Sequence, residues 1–69
     1  MWLIETLNST YQVEALGSKF KVTKVSGIAS EYYLDTGQSR EHIMVAFEVG
    51  KRAYFDSIQT TTVKSIKEA

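Results

Sequence analysis

The sequence has no cysteine, no proline, a single histidine and no net charge. Without cysteine there is neither a disulfide framework nor a thiolate metal site. One histidine, His42, cannot build a zinc site unless carboxylates happen to converge on it, so neither metal nor cofactor is expected. Eight basic and eight acidic side chains cancel. That argues against a general polyanion binder, because phosphate binding needs many charges neutralised together. No stretch approaches the ~20 apolar residues that span a bilayer, so no membrane partner is expected. The start, Met1-Trp2-Leu3-Ile4-Glu5, lacks a basic stretch and meets an acid after three apolar residues. A secretory leader is therefore not expected, and the cytoplasm is the expected compartment.

What remains is 69 residues, 43% of them hydrophobic. A chain of this size buries only about 60% of its unfolded surface, and its core supplies only a few kcal/mol of net stability. No linker, repeat or compositional break divides it, so residues 1–69 read as a single β domain. Apolar and polar residues alternate through most of the chain, the period of half-buried strands. The expected fold is all-β: a small antiparallel β-barrel or strongly curled sheet of five to seven short strands, with little or no helix.

The first 25 residues specify a register. If Asn8-Ser9 and Gly17-Ser18 are two-residue hairpin loops, Trp2 faces Ala15, Ile4 faces Val13 and Thr6 faces Tyr11. On the same side Ala15 faces Phe20 and Val13 faces Val22. The opposite face pairs Glu14 with Lys21 and Glu5 with Gln12. One apolar face shared by two turns is a strong constraint, since a one-residue slip turns the whole set outward.

The second half is less regular. Ser26-Gly27 predicts a third turn leading to a strand over Ile28 to Leu34, and Asp35 to Arg40 reads as a loop around Gly37. His42 to Val49 predicts a strand with Ile43, Val45, Phe47 and Val49 on the core side and Met44 and Ala46 on the other. A helix over residues 40–49 competes, disfavoured by its β-branched content. A three-residue loop of Gly50, Lys51 and Arg52 aligns Val49 with Ala53 and Phe47 with Phe55; a two-residue Gly50-Lys51 loop would place Asp56 beside Val45. The tail, Thr60 to Ile66, reads as one more strand. Val63 and Ile66 lie three apart, which predicts a bulge or a frayed last turn.

Several motifs invite a chemical reading. Asp35-Thr36-Gly37 matches the aspartic-protease triplet, but that chemistry needs two carboxylates sharing a proton, and neither a glycine-rich flap nor a buttressing apolar segment follows. Asp and Gly there serve a turn. Asn8-Ser9-Thr10 is formally a glycosylation sequon, read here as turn chemistry. His42 could act as a general base, with Asp35 or Asp56 nearby, yet no spacing forces a nucleophile beside it; a surface or strand-end position is expected. Lys19-Phe20-Lys21 puts lysines over an inward ring. Lys51, Arg52 and Tyr54 instead mix cations with an outward ring, as single-strand nucleic-acid binders do. Met44 and Ala46, with Tyr54 beside them, suggest a second apolar surface, and exposed apolar patches mark partner sites.

Trp2-x-Ile4-x-Thr6-x-Asn8-Ser9-x-Tyr11-x-Val13 and Thr61-Thr62-Val63-x-x-Ile66 together resemble segments of short uncharacterised proteins encoded by phages and bacteria. Many of those have proline before the terminal valine, where this chain has Thr62. The resemblance covers the two ends and implies a compact β protein from a phage or mobile element, a class that often binds and blocks a host protein. The expected function is a non-enzymatic binding module that works through protein–protein contacts. Its expected partner is a second copy, a host protein or both, with Met44, Ala46 and Tyr54 as interface residues. The alternatives are a nucleic-acid-binding barrel using Lys51, Arg52 and Tyr54, and a dimer that sequesters a small ligand. An enzyme comes last, because pockets of ~300–1,000 Å³ are hard to enclose in so short a chain.

Overall fold

The computed structural model describes residues 1–28 and 33–68. Alternating apolar residues set out seven strands: β1 (Trp2–Thr6), β2 (Ser9–Leu16), β3 (Lys19–Gly27), β4 (Ser39–His42), β5 (Val45–Ala46), β6 (Arg52–Phe55) and β7 (Ile58–Glu68). All pairings are antiparallel, in the order β4-β3-β2-β1-β7-β6-β5. No helix occurs among the described residues, so residues 40–49 are not helical.

The two edge strands of this order, β4 and β5, are consecutive in the chain and separated only by Ile43 and Met44. So short a link cannot cross a flat seven-stranded sheet, because neighbouring strands lie about 4.8 Å apart. The sheet therefore curls strongly into a half-barrel. Bulges in the long strands add local bend and twist. Glu5 pairs with Ser65 but Thr6 with Val63, leaving Lys64 extra; Tyr11 pairs with Lys24 but Thr10 with Ser26, leaving Val25 extra. The spacing of Val63 and Ile66 predicted the first of these. A third irregularity lies opposite Ala53, whose N–H donates instead to Thr60 Oγ1 at 3.0 Å.

The concave face holds the core: Ile4, Tyr11, Val13, Val22, Ala53, Phe55 and Val63, closed over by Leu34 from the segment between β3 and β4. Lys24 is also fully buried, its Nζ donating to the Ile28 carbonyl.

The β2–β3 hairpin has the expected register, with Val13 opposite Val22, Glu14 opposite Lys21 and Ala15 opposite Phe20. The β1–β2 hairpin differs by two residues: Trp2 faces Val13 and Ile4 faces Tyr11, not Ala15 and Val13. The cause is Thr6. Its buried hydroxyl donates to the Ser9 carbonyl at 2.9 Å and accepts the Ser9 and Asn8 N–H groups at 3.1 and 3.4 Å. This side-chain turn makes Leu7-Asn8 the loop, in place of Asn8-Ser9. A two-residue shift keeps the inward set inward, so the core survives the correction.

Ser26-Gly27 is not a turn, because β3 runs through it. Gly27 pairs with Ser9 at a φ of 129°, and a Cβ there would collide with the Asn8 carbonyl and Ser9 Cα. Of the strand expected over Ile28 to Leu34, residues 29–32 lie outside the described residues; Tyr33 and Leu34 are not in a strand.

The strand expected over His42 to Val49 is broken at the crossover. Val45 and Phe47 pack against the core as expected, but Ile43 and Val49 are exposed. The turn from one sheet edge to the other at Ile43-Met44 resets the alternation. In the β5–β6 hairpin Val45 faces Phe55 and Ala46 faces Tyr54, so neither Phe47–Phe55 nor Val45–Asp56 is a pair. Lys51 N–H closes that loop onto the Glu48 carbonyl at 3.1 Å, with Gly50 supplying a φ of 89°.

Candidate docking face

The outer face of the β5–β6 hairpin is set by its register. Ala46 and Tyr54 are opposite neighbours, and strand side chains alternate. Arg52 therefore shares the Tyr54 side. Met44, two residues before Ala46, stands beside the turn that holds Asp56. Met44 is 70% and Tyr54 46% exposed. The Tyr54 hydroxyl accepts a bond from Gln59 Nε2 at 2.8 Å, which fixes the ring over the start of β7.

Two shallow clefts meet at Ala46 and Tyr54. One, of about 410 Å³, is lined by Met44, Val45, Asp56 and Ser57; the other, of about 550 Å³, by Phe47, Glu48, Lys51, Arg52 and Thr62. The small Ala46 side chain leaves the gap between them. The expected interface residues Met44, Ala46 and Tyr54 are thus brought together, and so are Lys51, Arg52 and Tyr54. Lys51 is paired with Glu48 at 3.3 Å.

At the edge of the face lies a constellation that sequence reasoning did not assemble. Asp56, in the two-residue turn between β6 and β7, accepts the Met44 N–H on Oδ1 at 3.0 Å. Its Oδ2 accepts the Ile43 N–H at 3.2 Å and faces His42 Nδ1 at 3.0 Å. Its own N–H donates to the Met44 carbonyl at 2.8 Å. The Met44 N–H above all, then His42 and the Ile43 N–H, hold the Asp56 carboxyl below its usual range, against a smaller opposing effect of lost water.

His42 ends β4, but it is only 4% exposed, not a surface residue. Asp56 accepts from Nδ1, so in the neutral ring Nε2 accepts from the Tyr33 hydroxyl, 2.6 Å away. Burial pushes the Tyr33 phenol above its ordinary value, with the Arg40 guanidinium, 5.2 Å from the ring centroid, opposing it. Hydroxyl, imidazole and carboxylate stand in the sequence of an activated-nucleophile triad. The Tyr33 ring also packs against Phe55 and Tyr11. Asp56-Ser57, a turn-type pair after the strand Arg52–Phe55, was the available signal, and Asp56 has the positive φ of 55° that aspartate tolerates.

The other sequence motifs fall where turns and solvated faces place them. Asp35 N–H donates to Gln38 Oε1, and the Asp35 carbonyl accepts the Gln38 N–H, both at 3.0 Å. Lys19 and Lys21 are exposed, with Lys19 3.8 Å from Glu41, while Phe20 packs against the core. Among the described residues no three His, Asp or Glu side chains gather as a metal site. No protein-family model, curated protein or solved structure matches the chain.

Proposed function

We propose that this chain is a non-enzymatic protein-binding module that docks a partner on the outer face of the β5–β6 hairpin, through Met44, Ala46 and Tyr54. The observation that supports it is the juxtaposition of Met44 and Tyr54, both well exposed, around a gap left by Ala46. Apolar area left in water forgoes about 25 cal/mol per Å². Tyrosine anchors flanked by apolar clefts are where binding energy concentrates in protein interfaces. Small size and the open shape of both clefts favour a macromolecular partner over an enclosed substrate.

A nucleic-acid reading draws on Lys51, Arg52 and Tyr54 lining one cleft. It is the weaker one, because Glu48 lines the same cleft and pairs with Lys51.

A photoreactive benzophenone side chain in place of Tyr54, tested in cells, separates these readings. The docking reading expects discrete protein adducts from position 54 and none from Leu16, at the far end of β2. Absence of adducts at 54, or the same adducts from both positions, contradicts it. Cross-links to nucleic acid instead support the second reading.

A further inference from the structure

We infer that the docking face is self-complementary and that its occupant is a second copy of this chain, related by a two-fold axis crossing the hairpin at the Ala46–Tyr54 pair. The inference rests on the docking reading above and adds the partner.

The register makes the face a grid of three rows. Asp56, bonded to Met44, lies in the first row, Ala46 and Tyr54 form the second, and Arg52, two residues before Tyr54 on β6, the third. Rows are two residues apart, about 6.8 Å along a strand. A two-fold axis in the plane of the face, along the middle row, exchanges the first and third rows and leaves Ala46 and Tyr54 facing their own copies. Each contact then occurs twice, as a two-fold interface requires.

The chemistry of the rows matches under that exchange. Arg52 meets the partner's Asp56, and Asp56 meets the partner's Arg52. Among the described residues the ion pairs are Lys19–Glu41, His42–Asp56 and Lys51–Glu48, and none engages Arg52. The Asp56 Oδ1 atom accepts one bond, from the Met44 N–H, and so has a lone pair left for a guanidinium. The shapes match too. Met44, the most exposed large apolar side chain, stands one row from the axis on one side, and the cleft at Phe47 and Arg52 lies one row away on the other. The operation carries each Met44 to the mouth of the other copy's cleft.

Size sets the strength. A standard interface takes about 800 Å² per partner, roughly a fifth of this chain's 4475 Å². Three rows across two strands provide less than that, so the dimer belongs to the weak class, with dissociation in the micromolar to millimolar range.

Sedimentation equilibrium of the full chain, up to about 1 mM to cover that range, tests the assignment. The native chain is expected to dimerise. Arg52→Glu, which sets two carboxylates together, and Met44→Lys should each weaken association by about tenfold or more, while Lys21→Glu, on another face, leaves it unchanged. Because the chain has no cysteine, Ala46→Cys introduces a single thiol at the axis. A thiol cross-linker spanning about 10 Å, the spacing of packed sheets, should join two copies through Cys at position 46 and not through Leu16→Cys. A native monomer at the highest concentration overturns the inference, as does a dimer insensitive to both face variants. If a monomeric chain still forms adducts with another protein from position 54, the two-fold pairing falls and the docking reading stands.

Discussion

Asp56 and Met44 bond each other in both directions across the junction of the two sheet edges: the Met44 N–H donates to Asp56 Oδ1, and the Asp56 N–H donates to the Met44 carbonyl. The exposed methionine of the proposed docking face is thus positioned by the same aspartate that holds the core-facing His42. Core and face are coupled through one turn residue.

This coupling predicts that His42 matters for stability. His42→Ala removes the acceptor of the half-buried Tyr33 hydroxyl and opens a cavity beside Phe55. A loss of about 2–4 kcal/mol is expected, read as a fall in Tm of about 10 °C or more. Asp56→Asn should also lower Tm, whereas Asp35→Asn, in an exposed turn, should leave it within about 0.5 kcal/mol of native.

The pH dependence has a definite sign. Asp56 titrates lower in the folded chain than in the unfolded one, so its ionised form favours folding. That contribution is fully present above the ordinary carboxylate range, about pH 4, and is lost as pH falls from there through the lower folded value. Thermal melts between neutral and acid pH should show native Tm dropping more steeply than that of Asp56→Asn. Parallel pH profiles would contradict this role of Asp56.

The side-chain turn at Thr6 carries its own prediction. Thr6→Val keeps the shape but leaves the Asn8 and Ser9 N–H groups without their acceptor, at an expected cost of about 1–3 kcal/mol. Ser9→Ala removes no partner of Thr6, which bonds only the Ser9 backbone, and so should cost less. Denaturant midpoints of the two variants decide this.

Val13→Asp is expected to unfold the domain outright. The side chain is fully buried between Trp2 and Val22, and an unpaired charge there exceeds the margin of so small a core. Loss of amide dispersion in an NMR spectrum is the readout; a folded spectrum would place Val13 outside the core.

The fold class was legible because period-2 alternation survives wherever both neighbours of a strand are regular. Gly17-Ser18 pinned β2 to β3, since backbone turn preference and the apolar face agreed there. At Asn8-Ser9 the turn signal was present but displaced, because the Thr6 side chain, invisible to a rule about loop residues, captured the loop. The strand expected over His42 to Val49 broke at Ile43-Met44, since alternation cannot reveal that consecutive residues belong to opposite edges of a sheet. That Met44, Ala46 and Tyr54 would lie near one another was legible from the alternation of apolar residues around them. Asp56 was not, because its role rests on backbone N–H groups contributed by the crossover, which leave no mark in residue types.

The account stands or falls on the docking face. The most direct measurement compares photo-cross-linking from position 54 in the native chain and in Met44→Lys, with circular dichroism and Tm recorded on both. The account predicts that Met44→Lys keeps its fold, because the side chain is 70% exposed, and loses the adducts. Undiminished adducts from a folded Met44→Lys chain would contradict it.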